Sequence, residues 1–142
     1  YNTYTICLKR FDRYTEREIP MNKKDQVQFL LLLSSCYCLT KEIPPTKANV
    51  LDTIQDNEWA YFSQHDLEIK HNRNELVWRN TYAFERKHLA DAGYFEATSK
   101  NNWKITELGK AYLIELFRQC TTSVLDIITS KAICDCAALC HL

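Results

Sequence analysis

The sequence predicts a mainly α-helical fold: a helical core carrying one two-stranded hairpin, with an extra helix at the C-terminal end. Three observations predict it. The 142 residues include only 2 Gly and 3 Pro, too few chain breakers for the many turns of a β sandwich or barrel. Successive stretches from Asn22 to Phe117 place apolar residues at helical spacing. Between Tyr94 and Ile105 the period changes to alternation around Ser99-Lys100-Asn101-Asn102, residues that support tight turns. The length suits one domain and buries a sizeable core without staples. With 46% hydrophobic and 25% charged residues, the composition is that of an ordinary globular chain.

Residues 1–20 read as an N-terminal extension or linker. Tyr4, Ile6 and Leu8 alternate with Thr5 and Cys7, a hint of a short strand. Arg10, Arg13 and Arg17 then interleave with Asp12, Glu16 and Glu18. The main domain is expected over 21–118 and a helical tail over 119–142. Asn22 is placed to cap a first helix, with Asp25 favouring its positive end. Phe29, Leu32, Leu33 and Cys36 fall on one face of that helix, and Leu30 and Leu31 widen it, so it is expected at the centre of the core. Pro44 and Pro45 end it.

Thr46 is placed to cap a second helix with Val50, Leu51 and Ile54 buried, ending at Asp56 and Asn57. Residues 58–73 show no clean period; a short helix or turn is expected there, then a polar loop through His71-Asn72-Arg73-Asn74. A third helix is expected from Glu75 to Ala92, with Gly93 in the left-handed position past its end. The reading puts Val77, Thr81, Phe84, His88 and Ala92 on its core row, with Leu89 beside them. Arg79, Ala83, Arg86 and Ala90 form the opposite row, flanked by Asn80 and Lys87. Strands over Tyr94–Ala97 and Trp103–Ile105 make the hairpin. Thr106 caps a fourth helix with Leu108, Tyr112, Leu113, Leu116 and Phe117 as an apolar stripe. The tail from Cys120 to Leu142 is expected to be helical, with Val124, Ile127 and Ile128 on one side.

Helix, helix, helix, hairpin, helix is the plan of a winged helix-turn-helix, whose later helix enters a DNA major groove about 12 Å wide. Such a helix needs one face for the core and another with donors and little bulk. Arg79 and Arg86, flanked by Asn80 and Lys87, supply donors for guanine and adenine edges, and Ala83 and Ala90 permit close approach. The chain as a whole is neutral, with 18 Lys and Arg against 18 Asp and Glu, so positive charge must be local if nucleic acid is the partner. It is: between Lys70 and His88 five Lys and Arg stand against Glu75 and Glu85, a balance of +3. The hairpin adds Lys100 and Lys104 against Glu96. The expected double-stranded-DNA contacts are therefore Arg79, Asn80, Arg86 and Lys87 on the helix and Lys100, Asn101, Asn102 and Lys104 on the wing.

The stretch Arg86-Lys87-His88-Leu89-Ala90-Asp91-Ala92-Gly93-Tyr94-Phe95, followed by Trp103-Lys104-Ile105-Thr106-Glu107-Leu108-Gly109-Lys110, resembles the N-terminal winged-helix domain of Mrr-type restriction endonucleases. The likeness is clearest over 75–113, fainter over 25–70, and absent from 1–20 and 120–142. It implies binding to duplex DNA, commonly modified DNA, beside a separate nuclease domain. It implies Arg86 as a DNA contact and Leu89, Ala92, Gly93, Trp103, Ile105 and Gly109 as framework. The chain departs from that pattern at Phe84, where the family usually has Trp. It departs again at Ala90-Asp91, where basic residues are usual, and Asp91 weakens a phosphate contact at that helix end.

Other chemistries are weaker in the sequence. Glu68-Ile69-Lys70 with Asp56 upstream has the spacing of a magnesium nuclease, but it lacks flanking strands and falls inside the expected DNA-binding domain. Cys134, Cys136, Cys140 and His141 match no familiar zinc spacing; buried thiols on a terminal helix are the simpler reading, as for Cys36 and Cys38. His88 reads as a hydrogen-bonded core histidine. No catalytic motif, metal or cofactor is expected. The seven cysteines are odd in number and no signal-peptide pattern precedes them, so reduced thiols and a cytoplasmic location are expected. Tyr1 in place of Met suits a piece of a longer protein. The alternative is a winged helix that binds protein, with the fourth-helix stripe and the Cys-rich tail forming a homodimer contact.

Overall fold

The computed structural model describes residues 19–142; the alternation over Tyr4–Leu8 and the charged stretch Arg10–Glu18 lie outside the described residues. The elements run α1 (Lys23–Thr40), α2 (Lys47–Asp56), a 3₁₀ turn (His65–Leu67), β1 (Ile69–Lys70), β2 (Glu75–Leu76), α3 (Val77–Asp91), α4 (Glu107–Cys120) and α5 (Ser130–Cys140). The chain is mainly helical, and no described helix is long and apolar enough to cross a membrane.

Helix α1 is the hub, packing on α2, α3, α4 and α5. Phe29 to Leu33 are all fully buried, and so are Gln26, Ser34 and Ser35. A helix enclosed on every side needs apolar residues all round, which is why five apolar residues stand in succession. Its buried polar groups are each partnered, as they must be. Ser34 Oγ donates to Val50 O at 2.6 Å. Ser35 Oγ donates to Trp103 O at 2.7 Å and accepts from Ile105 N at 2.9 Å, fastening the segment 103–105 to the hub. Asn22 and Thr46 cap α1 and α2 as expected, accepting from Asp25 N and Asn49 N.

Two segments differ from expectation. Residues 71–74 turn between paired strands, with Ile69 opposite Leu76 and Lys70 opposite Glu75. Asn72 and Asn74 take the left-handed conformation that Asn tolerates. Glu75 and Leu76 therefore belong to β2, and α3 starts two residues later than expected. The chain from α2 to α3 is also much longer than the three- to four-residue turn of a compact helix-turn-helix.

The tail is not one helix from Cys120. Residues 121–129 are not helical but run through turns, bends and two bridges: Pro20 bridges Val124 in parallel and Ala60 bridges Ile128 in antiparallel fashion. Gln26 explains the departure. Its Oε1 accepts from Asp126, Ile127 and Ile128 N at 3.2, 2.8 and 3.2 Å, and its Nε2 donates to Met21 O and Asp126 Oδ1. Those amides are unavailable to a helix. Helix α5 begins only after Thr129, whose side chain accepts from Ala132 N.

Where strands were expected over Tyr94–Ala97 and Trp103–Ile105, the chain makes only an isolated bridge in a wing-like turn: Phe95 pairs with Ile105, flanked by Glu96 N to Lys104 O and Thr106 N to Tyr94 O. Gly93 ends α3 with φ +84°, the left-handed position expected of it. Thr106 caps α4 by accepting from Gly109 N. Gly109 is required by proximity, because a Cβ there would lie 2.1 Å from Tyr94 O.

Candidate nucleic-acid interface

Helix α3 presents a different face from the one its sequence suggested. Trp78, Tyr82 and Leu89 are buried, whereas Phe84 is 61% exposed and Thr81 is also exposed. The expected core row Val77, Thr81, Phe84, His88, Ala92 is thus a flank and the outer surface. Trp78 and Tyr82 carry more apolar area than Thr81 and His88, and burial follows area. They also pack edge to face at 5.1 Å, with Phe62 on the other side of Trp78 at 4.5 Å. His88 is half-exposed, edge-on to Phe84, with Nδ1 3.2 Å from Glu85 Oε2.

The row expected to be free of intramolecular partners faces α2 and the wing. Arg79 Nη2 lies 2.9 Å from Asp52 Oδ1 on α2, with its guanidinium over the Trp78 ring. Arg86 Nη2 donates to Ser99 O and to Asn102 O, both at 2.9 Å, and its guanidinium stands 5.8 Å from the Trp103 ring. Its Nε is buried without a partner among the described residues. Burial lowers the pKa of Arg86, opposed by the nearby Asp91. The geometry makes Arg86 the strut between α3 and the wing.

The remaining expected contacts sort by commitment. Asn80 Oδ1 accepts from Lys70 Nζ at 2.8 Å. Asn101 Oδ1 accepts from Lys47 N at 3.0 Å. Asn102 Nδ2 donates to Glu96 Oε1 and Thr98 Oγ1, closing the wing from inside. Lys104 is 4.0 Å from Glu96, an exposed pair of little strength. Lys87 and Lys100 are exposed and have no ion-pair partner among the described residues.

The outer strip of α3 therefore comprises Asn80, Thr81, Phe84 and Lys87, with Asp91 at its C-terminal end. The wing lies beside it, held there by Arg86. Thr81 and Phe84 were missed as surface residues; the bulk of Trp78 and Tyr82 on a neighbouring row of the helix was the signal that could have found them.

The residues of the weaker nuclease and zinc readings have other surroundings. Glu68 lies exposed near His65, and Lys70 is spent on Asn80. Cys134 and Cys136 are buried, and Cys140 touches the thiols of Cys36 and Cys136. Among the described residues no group of three or more His, Cys, Asp or Glu is placed to hold a metal ion. The α4 stripe is divided: Leu113, Leu116 and Phe117 are internal, while Leu108 is 58% exposed. Comparison with protein-family models, with curated proteins and with solved structures finds no match to this chain.

Proposed function

We propose that the chain is a winged-helix module that binds double-stranded DNA through the outer strip of α3 and the adjacent wing, of the type its resemblance to restriction proteins implies. The observation that carries the reading is the pairing of that strip with a braced wing. Asn80, Thr81 and Phe84 occupy the N-terminal half of α3, the half that contacts base edges in this docking mode. Phe offers apolar contact to a thymine methyl and Asn suits adenine. Lys87, Lys100 and Lys104 supply cations for phosphates on either side. Asp91 keeps phosphates away from the negative C-terminal end of the helix.

Arg79 and Arg86 leave the contact set and become the groups that orient α3 and hold the wing. The rival reading, a dimer through the α4 stripe and the tail, loses most of its surface. Leu113, Leu116 and Phe117 of the stripe, and Ala132, Ile133 and Cys136 of α5, are buried within the chain.

Phe84→Ala and Lys87→Ala test the reading in duplex binding. Lys87→Ala is expected to weaken binding uniformly across sequences and to lower the salt slope by about one. Phe84→Ala is expected to cost about 1 kcal/mol on thymine-containing sites and to leave the slope unchanged. Unchanged affinity in both variants would remove α3 as the docking helix.

A further inference from the structure

A cleft of about 680 Å3 opens on the flank of α3 away from the wing. It lies between the start of α1, the segment after α2, α3, and the non-helical strap 121–129. Its size is that of a small-molecule site. One wall is aromatic: Tyr61 and Phe62 line it, backed by Trp78 and Tyr82. Trp78 Nε1 is buried and has no hydrogen-bond partner among the described residues, which is uncommon for a buried indole.

At the other end stand Lys23 and Lys24, both exposed and without an acceptor among the described residues. They occupy the first turn of an 18-residue helix, whose positive end adds to their charge. The cleft also holds Asp66, Glu85 and Asp126, each already accepting a hydrogen bond. Asp66 Oδ2 takes Ser63 N, Glu85 Oε2 takes Gln28 Nε2, and Asp126 Oδ1 takes Gln26 Nε2. These donors are neutral, so the carboxylates keep their charge, and the two ammonium groups are the cations of the lining that form no ion pair among the described residues. The carboxylates keep spare lone pairs, the acceptors that a base's exocyclic amine requires.

We propose that this cleft binds a nucleotide, its base against Tyr61 and Phe62 and its phosphate on Lys23 and Lys24. An apolar aromatic wall, an acceptor edge and a pair of free ammonium groups match the three parts of that ligand. The nucleotide is either free in solution or a unit swung out of a DNA strand, since Thr81 belongs both to the cleft lining and to the outer strip of α3. A free-nucleotide site does not depend on the DNA-binding reading, because neither Lys87 nor Phe84 lines it, whereas a swung-out unit rests on that reading.

The test is calorimetric titration of the full chain with each of the four 2′-deoxynucleoside 5′-monophosphates. In parallel, a duplex carrying 2-aminopurine opposite a mismatch is followed by its fluorescence. Lys23→Ala/Lys24→Ala, a pair of surface changes that leaves the core intact, is the diagnostic variant, and Arg118→Ala, an exposed cation outside both the cleft and the proposed DNA face, is the control. Binding of a monophosphate that the double variant weakens about tenfold, and that Arg118→Ala leaves unchanged, establishes a free-nucleotide site. No monophosphate binding, but a 2-aminopurine response lost in the double variant, establishes the strand as the source. Absence of both signals, signals indifferent to the double variant, or binding of tetramethylammonium in place of nucleotide overturns the proposal. Failure of the DNA-binding reading shows separately, as indifference of duplex affinity to Lys87→Ala.

Discussion

Arg86→Ala separates a strut from a DNA contact. In the folded chain one Nη2 group serves two carbonyls, Ser99 O and Asn102 O, and so ties the wing loop to α3. Hydrogen bonds from a charged donor contribute about 1.5–3 kcal/mol each. Two features reduce that sum. The loop carbonyls regain water when the side chain is removed, and the buried unpartnered Nε already costs part of the gain. The net loss is about 2 kcal/mol of folding stability. Arg86→Lys keeps the charge but gives up the planar fork, so it is expected to lose at least about 1 kcal/mol. A phosphate contact would behave in the opposite way, with Lys nearly as good as Arg and folding unaffected. Urea denaturation at equilibrium measures the stability, and amide exchange at Asn102 and Trp103 reports on the wing. Stability of Arg86→Ala within about 0.5 kcal/mol of the parent, the range of ordinary surface substitutions, would refute the strut.

Other expectations follow from the same contacts. Gln26→Leu removes the acceptor of the amides of Asp126, Ile127 and Ile128, the last of them buried. It is expected to cost about 3 kcal/mol or more and to raise amide exchange over 124–129 ahead of global unfolding. The Cys136 thiol first, and burial after it, push Cys140 up to about 11 from its ordinary 9.0, opposed by the Cys36 thiol. Its thiolate fraction at pH 8 is then about a hundredfold below that of a free thiol, and alkylation of Cys140 slows in proportion. Because folding raises this pKa, its stabilising contribution is whole below pH 9.0 and disappears as pH rises through about 11.

Local chemistry made much of this fold legible. Asn22, Thr46 and Thr106 cap helices where a short polar side chain precedes an apolar period, and Gly93 ends α3 because only a left-handed residue fits there. The run Phe29–Leu33 announced a helix enclosed on all sides. Long-range chemistry was not legible. That Gln26 holds the strap at 126–128 depends on residues a hundred positions away, and nothing near Val124 or Ile127 discloses it. The hairpin at 69–76 is two residues long on each side, too short for a period. The α3 face was misread because two rows on that helix have helical spacing, and spacing alone does not rank them; the larger apolar area of Trp78 and Tyr82 does. The same error hid the candidate site. Arg79 and Arg86 stood out as charges, and only tertiary contacts show them occupied, leaving the surface to Phe84, Lys87 and Lys100.

The proposed engagement of DNA rests on that surface. The most direct measurement is fluorescence anisotropy of a labelled random duplex titrated with the chain at about 50 mM and about 200 mM salt. Three phosphate contacts, from Lys87, Lys100 and Lys104, predict a logarithmic slope near −3 and an affinity about fortyfold lower at the higher salt. No binding at the lower salt, or an affinity indifferent to salt, would contradict it.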